Sequence, residues 1–349
     1  NYLTEEQWDL FRQADGHIYW IPQFGVSQGQ DTEVIHSGEA FWIQTRVLKW
    51  ADYPEITTVD EYFDLIEAYV QENPAMPDGT PNIPFTVLCD DWRFFCLENV
   101  PQFLDGYPND GSCMVDPGND QVIDYNTTET ARRYFQKLNE EYRKGIFDPQ
   151  SFTSTYEEYM DKLGTGAVLG MVDQWWQFYY NLAEPYETNG LSDLGCDYVP
   201  LPITMDKGTS NQWHTSRNAE MDTSSGLSIT TSCEDVQGAL QFVNDLLDSD
   251  ITKLRFWGEK DLDYSVDENG MFYMNSEQGK RHGDSVLNES HFCSYSYFPR
   301  VEGLLDDGIN AFSMEYQPVE FMKSLKPDIR ECFEAYGVQN YVELLGTNE

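Results

Sequence analysis

Five of the six residues from Trp175 to Tyr180 are aromatic, in the run Trp175-Trp176-Gln177-Phe178-Tyr179-Tyr180. At helical spacing Trp175 and Tyr179 share one face, and Trp176 and Tyr180 share the adjacent one. One face can build a core, but a helix packed on a single side cannot easily bury both. One set is therefore a candidate to line a ligand site. Trp92, Trp213 and Trp20 fall at strand ends or in loops, where ligands meet α/β sheets. A flat apolar ring flanked by Asp, Asn and Gln suits a pyranose, whose C–H face packs on the ring while its hydroxyls bond to the polar rim.

Other chemistries find less support. GxGxxG, GxxxxGK[ST] and GxSxG are absent, and the glycines of Gly164-Thr165-Gly166 precede a strand where a phosphate loop would follow one. The five histidines show no metal-binding spacing, and no metal or cofactor is expected. With Gly79 as the sixth position of a calcium loop, Pro74, Met76 and Phe85 would fill positions that need oxygen ligands, so the loop is not an EF-hand. Asp90, Asp91 and Glu98 are the nearest candidates for a sugar-cleaving pair, which needs two carboxyls about 5–9 Å apart. Arg46 or Arg93 beside few stacking rings would point instead to a peptide or a charged small molecule. A purely structural surface protein would have no enclosed aromatic pocket.

Acidic residues number 61 against 21 basic ones, for a net charge of −40. Nucleic acid and anionic membrane are poor partners for such a surface, whereas neutral or cationic ligands are tolerated. No apolar run of 18 residues exists to span a bilayer. Seven cysteines without a CxxC pair read as free thiols, with Cys89–Cys96 the closest spaced candidate bridge.

The 349 residues suggest two or three domains. Helices are expected over 57–70, where Thr58 and Glu61 form a capping box, over 128–144, closed by Gly145, and over 154–163. Further helices are expected over 2–14, 232–247, 317–325 and 329–345. Strands are expected over 17–22, 40–47, 85–88, 167–172, 198–202 and 226–230. Short strands between longer helices indicate an α/β protein.

The order of these landmarks resembles that of the extracellular solute-binding proteins of bacterial ABC importers. The likeness is to the carbohydrate-binding family 1, related to maltodextrin-binding protein, and to its larger Gram-positive lipoprotein members. The residues that carry it are Gly16–Pro22, Phe41–Leu48 with Arg46, Thr57–Glu61, Glu141–Pro149, Gly164–Met171 with the tryptophans after it, Val199–Pro202, Arg255–Gly258 and Tyr264–Gly270. The resemblance implies a two-lobed periplasmic-binding-protein-like fold of type II with an interlobe cleft. Lobe one would hold 1–43 and 198–252, and lobe two 44–197 and 253–349. Crossings would fall near Phe41–Gln44, Tyr198–Pro202 and Thr252–Phe256. The family's first strands, signal peptide and lipobox cysteine have no counterpart here, so the chain is expected to start inside lobe one.

By the same resemblance the protein captures an oligosaccharide without cleaving it and docks on ABC permease transmembrane subunits. It would work as a monomer, lipid-anchored on the outer face of the membrane. Trp175 or Trp176, with Tyr179 and Trp92, would stack on sugar rings. Asp90 or Asp91 would accept hydroxyl hydrogen bonds. Trp213 and His214 would face the cleft from lobe one, and Gln44, Gln23 and His36 would orient hydroxyls near the crossing.

Overall fold

The computed structural model describes residues 4–27, 32–36, 38–107, 113–116, 118–119, 121–210, 221, 225–284, 286 and 299–346. The chain divides into two compact units, Asn1–Val34 with Ser216–Ser324, and Ile35–Thr215 with Leu325–Glu349.

The second unit is built on a four-stranded mixed sheet. Its strands are β1 (Glu39–Gln44), β2 (Ile83–Val87), β3 (Val168–Gln174) and β4 (Tyr198–Leu201), in the spatial order β2-β3-β1-β4. β2 runs parallel to β3, with Phe85 opposite Gly170, while β1 is antiparallel to both β3 and β4. Every residue of β1 is buried, as a strand covered on both faces requires. The helices are α1 (Thr45–Trp50), α2 (Val59–Glu72), α3 (Glu129–Lys144), α4 (Tyr156–Gly164), α5 (Trp175–Asn189), α6 (Pro327–Tyr336) and α7 (Tyr341–Leu345).

Local sequence sets these boundaries. Thr58 and Glu61 close the capping box of α2, and Thr155 and Glu158 that of α4. Thr128 caps α3, which ends at Gly145 in the left-handed conformation. β1 stops at Gln44 rather than running to Val47. The Thr45 and Arg46 N–H groups donate to the carbonyls of Asp197 and Gly195 at 2.9 Å each, and the chain turns into α1. The single helix expected over 329–345 is two, α6 and α7, parted at Gly337 with φ +71°. The aromatic stretch 90–103 is three short helical pieces, Asp91–Phe94, Phe95–Glu98 and Val100–Leu104.

The core of this unit is aromatic, with Phe41 against Tyr62, Phe85, Phe103 and Tyr134. α2 lies so close to β3 that a Cβ on Gly170 would stand 2.2 Å from the Tyr62 hydroxyl, which donates to the Trp42 carbonyl at 2.7 Å. Glycine is what permits that approach. On α3 the buried residues are Thr130, Ala131, Tyr134, Leu138 and Glu141, and Phe135 and Tyr142 are exposed.

The first unit has a smaller core of Trp257, Tyr264, Phe272, Leu305 and Phe312, in which the Trp257 indole donates to the Ala311 carbonyl at 3.0 Å. Two-residue strand pairs stand in place of a large sheet among its described residues. Ile21–Pro22 pairs with Gly226–Leu227, Val26–Ser27 with Glu302–Gly303, and Ser265–Val266 with Phe272–Tyr273. Of the helix expected over 232–247, Val236–Leu246 forms, with Val243 buried and Val236 and Leu240 exposed.

The observed division differs from the expected ranges of 1–43 with 198–252 and 44–197 with 253–349. β1 is hydrogen-bonded on one side to β3 and on the other to β4, so residues 39–44 and 198–201 belong to one sheet. Residues 253–324 fall with the first unit, and only Leu325–Glu349 returns to the second. Cys89 and Cys96 are free thiols, so the closest spaced candidate bridge is not formed. No helix among the described residues is long and apolar enough to cross a membrane.

Candidate functional site

Because β2 and β3 are parallel neighbours, the segments that follow them leave the sheet at the same edge. That edge, beyond the carboxyl ends of parallel strands, is where open α/β sheets hold ligands. After β2 the chain continues through Asp90 into the short helical turn Asp91–Phe94, and after β3 it enters α5 at Trp175. The topology thus brings together side chains more than 80 positions apart.

Trp92 and Trp176 meet there with ring centroids 5.9 Å apart and planes only 9° from parallel. They are 53% and 47% exposed, which is unusual for two large apolar rings in contact. Phe95 lies nearly parallel to Trp92 at 6.0 Å. The Arg93 guanidinium stacks 4.6 Å from the Trp92 ring and 4.1 Å from the Tyr156 ring. The Tyr156 hydroxyl donates to the Gln177 carbonyl at 2.6 Å and accepts from Asn181 at 2.8 Å, fixing that ring against α5.

The two neighbouring tryptophans divide the roles that spacing alone left open. Trp175 is only 7% exposed and stacks on Tyr179 at 4.4 Å. Trp176 points outward. Tyr179 and Tyr180 are exposed farther along α5, where both rings pack on Trp175 and on each other.

The two acids before Trp92 differ in what they have left to offer. Asp90 is half-buried and accepts the Tyr156 N–H at 2.9 Å, in the first turn of α4. Asp91 is exposed, and its backbone sits at φ +51°, a conformation non-glycine residues seldom adopt and one that recurs at functional positions.

Beneath the ring pair lies a buried polar cluster. Asp173, near the end of β3, accepts from the Gln174 N–H and the Gln177 amide at 2.7 Å each. It also accepts from the Tyr159 hydroxyl at 2.7 Å and from the Cys96 thiol at 3.6 Å. Burial pushes its carboxyl up to about 7, against the pull of these donors. Glu39, whose backbone pairs with Gln174, is also pushed well above its usual range by burial, with Asn99 opposing and the nearby Asp173 adding to the shift.

Other residues singled out from the sequence have different positions. Gln44 is fully buried, donates to the Gly166 carbonyl at 2.9 Å and accepts from Arg46 at 2.6 Å, so it holds the sheet rather than facing a ligand. His36 is buried with its ring nitrogen 2.9 Å from the Glu39 carbonyl. Gln23 is buried in the first unit and accepts the Arg300 N–H at 2.8 Å. The expectation that these three orient hydroxyls gives way to structural roles, because their polar atoms satisfy buried backbone. Trp213 and His214 lie outside the described residues. Tyr156 and Phe95, which complete the stack, were not singled out, because nothing local in their sequence marks a contact made across folded strands. Among the described residues no group of three or more His, Cys, Asp or Glu is placed to hold a metal ion.

No family model matches the chain. Over 225 residues it is 25% identical to the fructooligosaccharide ABC transporter substrate-binding protein FusA of Streptococcus pneumoniae, a match that covers 61% of this chain and 36% of that protein. Among solved structures it resembles a solute-binding protein of Bifidobacterium longum infantis described as HMO-binding and ABC-transporter associated. There the TM-score is 0.58 at 15% identity, covering 94% of this chain and 64% of the other. FusA in complex with kestose gives a TM-score of 0.54 at 16% identity, covering 98% of this chain and 64% of the other. The chain thus spans just over a third of the curated relative and somewhat under two thirds of these structures. At such identities the likeness shows the fold, an α/β architecture shared with periplasmic-type binding proteins.

Proposed function

We propose that this chain captures a neutral oligosaccharide outside the cell, without chemical conversion, for delivery to an ABC importer. The observation that carries the reading is the exposed, near-parallel Trp92–Trp176 pair at the carboxyl ends of β2 and β3. Sugar rings present C–H faces that gain from flat apolar surface, and their hydroxyls need donors and acceptors at the rim. Trp176 and Trp92 supply the surface, and Asp91 an exposed acceptor. The excess of acidic residues disfavours polyanionic ligands. The similar proteins named for fructooligosaccharide and HMO binding support a glycan over a peptide.

The family 1 kinship, docking on permease transmembrane subunits, a monomeric state and a lipid anchor on the outer membrane face belong to the same proposal. The deciding experiment is calorimetric titration against a glycan panel led by fructooligosaccharides, with product analysis of every hit. Binding with the glycan recovered intact supports capture. Shortened product would assign the site to a glycoside hydrolase, and a panel without a hit would remove the reading.

A further inference from the structure

Arg93 differs from its neighbours in what it leaves unspent. Its guanidinium carbon lies over two rings, 4.6 Å from the Trp92 centroid and 4.1 Å from the Tyr156 centroid. Stacking uses the faces of that planar group and leaves its five N–H donors around the edge. None of them donates to a described residue; Nε is buried out of a ligand's reach, and the terminal Nη groups are the donors left accessible. The chain holds 61 acidic side chains, yet no described carboxylate lies within ion-pair distance of this cation. Asp90, three residues earlier, is turned to the Tyr156 N–H instead. A donor-rich edge fixed in place beside exposed rings is organised for an acceptor that the protein does not supply.

The charges around it indicate what that acceptor is. Asp90 and Asp91 precede Trp92 directly, so two carboxylates accompany one guanidinium on this loop. A carboxylate- or sulfate-bearing ligand would meet a net negative rim. Neutral hydroxyls can accept from Arg93 and donate to Asp91 at once.

Resting on the glycan-capture reading, we propose that Arg93 is a specificity-determining residue of this site: its terminal Nη–H groups donate to the hydroxyl oxygens of a neutral glycan lying on the Trp92–Trp176 pair. The test is titration of the whole protein and of Arg93→Ala, Arg93→Gln and Arg93→Lys with neutral oligosaccharides and with carboxylate-bearing ones. Melting temperature and the circular-dichroism signature of the stacked tryptophans are followed in parallel. The wild-type chain is expected to bind neutral glycans with an affinity that salt does not change. Arg93→Ala is expected to weaken binding about 10–100-fold with melting and tryptophan signature retained, and Arg93→Lys or Arg93→Gln to recover part of the loss.

Unchanged affinity in Arg93→Ala overturns the proposal. Loss of affinity together with the tryptophan signature also overturns it, because Arg93 would then only hold Trp92 in place. Preference of the wild type for the carboxylate-bearing glycans overturns the ligand class. The first two outcomes leave neutral-glycan capture standing and the third leaves glycan capture without its restriction to neutral ligands, whereas a wild-type chain that binds no glycan removes both.

Discussion

Two exposed aromatic regions of the second unit make an instructive pair. One is the Trp92–Trp176 surface. The other is a groove of about 310 Å³ lined by Leu97, Phe135, Leu138, Asn139, Tyr142, Phe147 and Phe152. Both expose large rings, and an exposed aromatic residue alone would nominate either. They differ in geometry and in rim. The tryptophan planes lie 9° apart, while Phe147 meets Tyr142 at 50° and Phe152 at 30°. The tryptophans are bordered by Arg93, Asp91 and Asp90, while the groove offers only the amide of Asn139 and the hydroxyl of Tyr142. A sugar needs a flat face and convergent polar groups together, and only the first region supplies both.

Removing the flat face is the strongest way to break this contrast. Trp176→Ala takes away a half-exposed ring that supports no deep core, so the fold is expected to survive. Covering a large apolar ring is worth about 1.5–3 kcal/mol by the area removed from water, and a loss of roughly 10–100-fold in glycan affinity follows. Titration calorimetry with the best hit of the panel measures it, and an affinity within twofold of wild type would place the site elsewhere.

A second substitution tests how firmly the scaffold holds the surface. Gly170 lies in β3, four residues before its end, with Tyr62 and Ile66 of α2 pressed against it. The added methyl of Gly170→Ala would stand 2.2 Å from the Tyr62 hydroxyl and 2.8 Å from the Ile66 Cδ1, so these buried side chains must shift. A cost of about 1–3 kcal/mol is expected from overpacking of this kind, readable in chemical denaturation. An unshifted midpoint would mean that α2 and β3 are not packed as described.

The buried acid beneath the tryptophans gives the same contrast a pH dependence. Burial raises the Asp173 carboxyl from near 3.8 to about 7, so the folded chain holds this proton more tightly than the unfolded one. The associated stability is fully present below about 3.8 and is lost as pH rises through about 7. The slope from this one group is at most about 1.4 kcal/mol per pH unit. Asp328 shifts the same way, so the informative quantity is the difference in slope between wild type and Asp173→Asn across pH 4.5–8. The variant should show the shallower slope, and parallel curves would show that Asp173 does not titrate as its surroundings require.

Part of the candidate site's makeup was legible in residue order, and what was not has physical causes. The aromatic run after the Gly170-Met171 strand announced itself, as did the Asp90-Asp91-Trp92 cluster. Helix starts were readable because caps are local, as Thr58 with Glu61 shows. The choice between Trp175 and Trp176 was not readable, since neighbouring helical positions differ by an angle that only the sheet beneath them converts into burial. Gln44 and His36 misled because polar residues near a strand end serve buried backbone as readily as a ligand. The compact units differ from the division the resemblance implies, because β1, where that resemblance puts a crossing, is hydrogen-bonded on both sides within one sheet.

The groove supplies the smallest expected effect, and the one that shows whether the contrast is real. Phe152 is exposed and stacks on Phe147 at 5.6 Å, outside the buried core. Phe152→Ala removes as flat a ring as many that bind sugars, from a place that lacks charged donors and acceptors. Glycan affinity is expected to stay within twofold of wild type, and stability to fall by about 1 kcal/mol or less, since a half-exposed ring has given up only part of its contact with water. Calorimetry on the same glycan and a denaturation midpoint measure the two together. A loss of affinity comparable to that of Trp176→Ala would show that exposed rings suffice without a polar rim, and the groove would then have to be counted as part of the ligand surface.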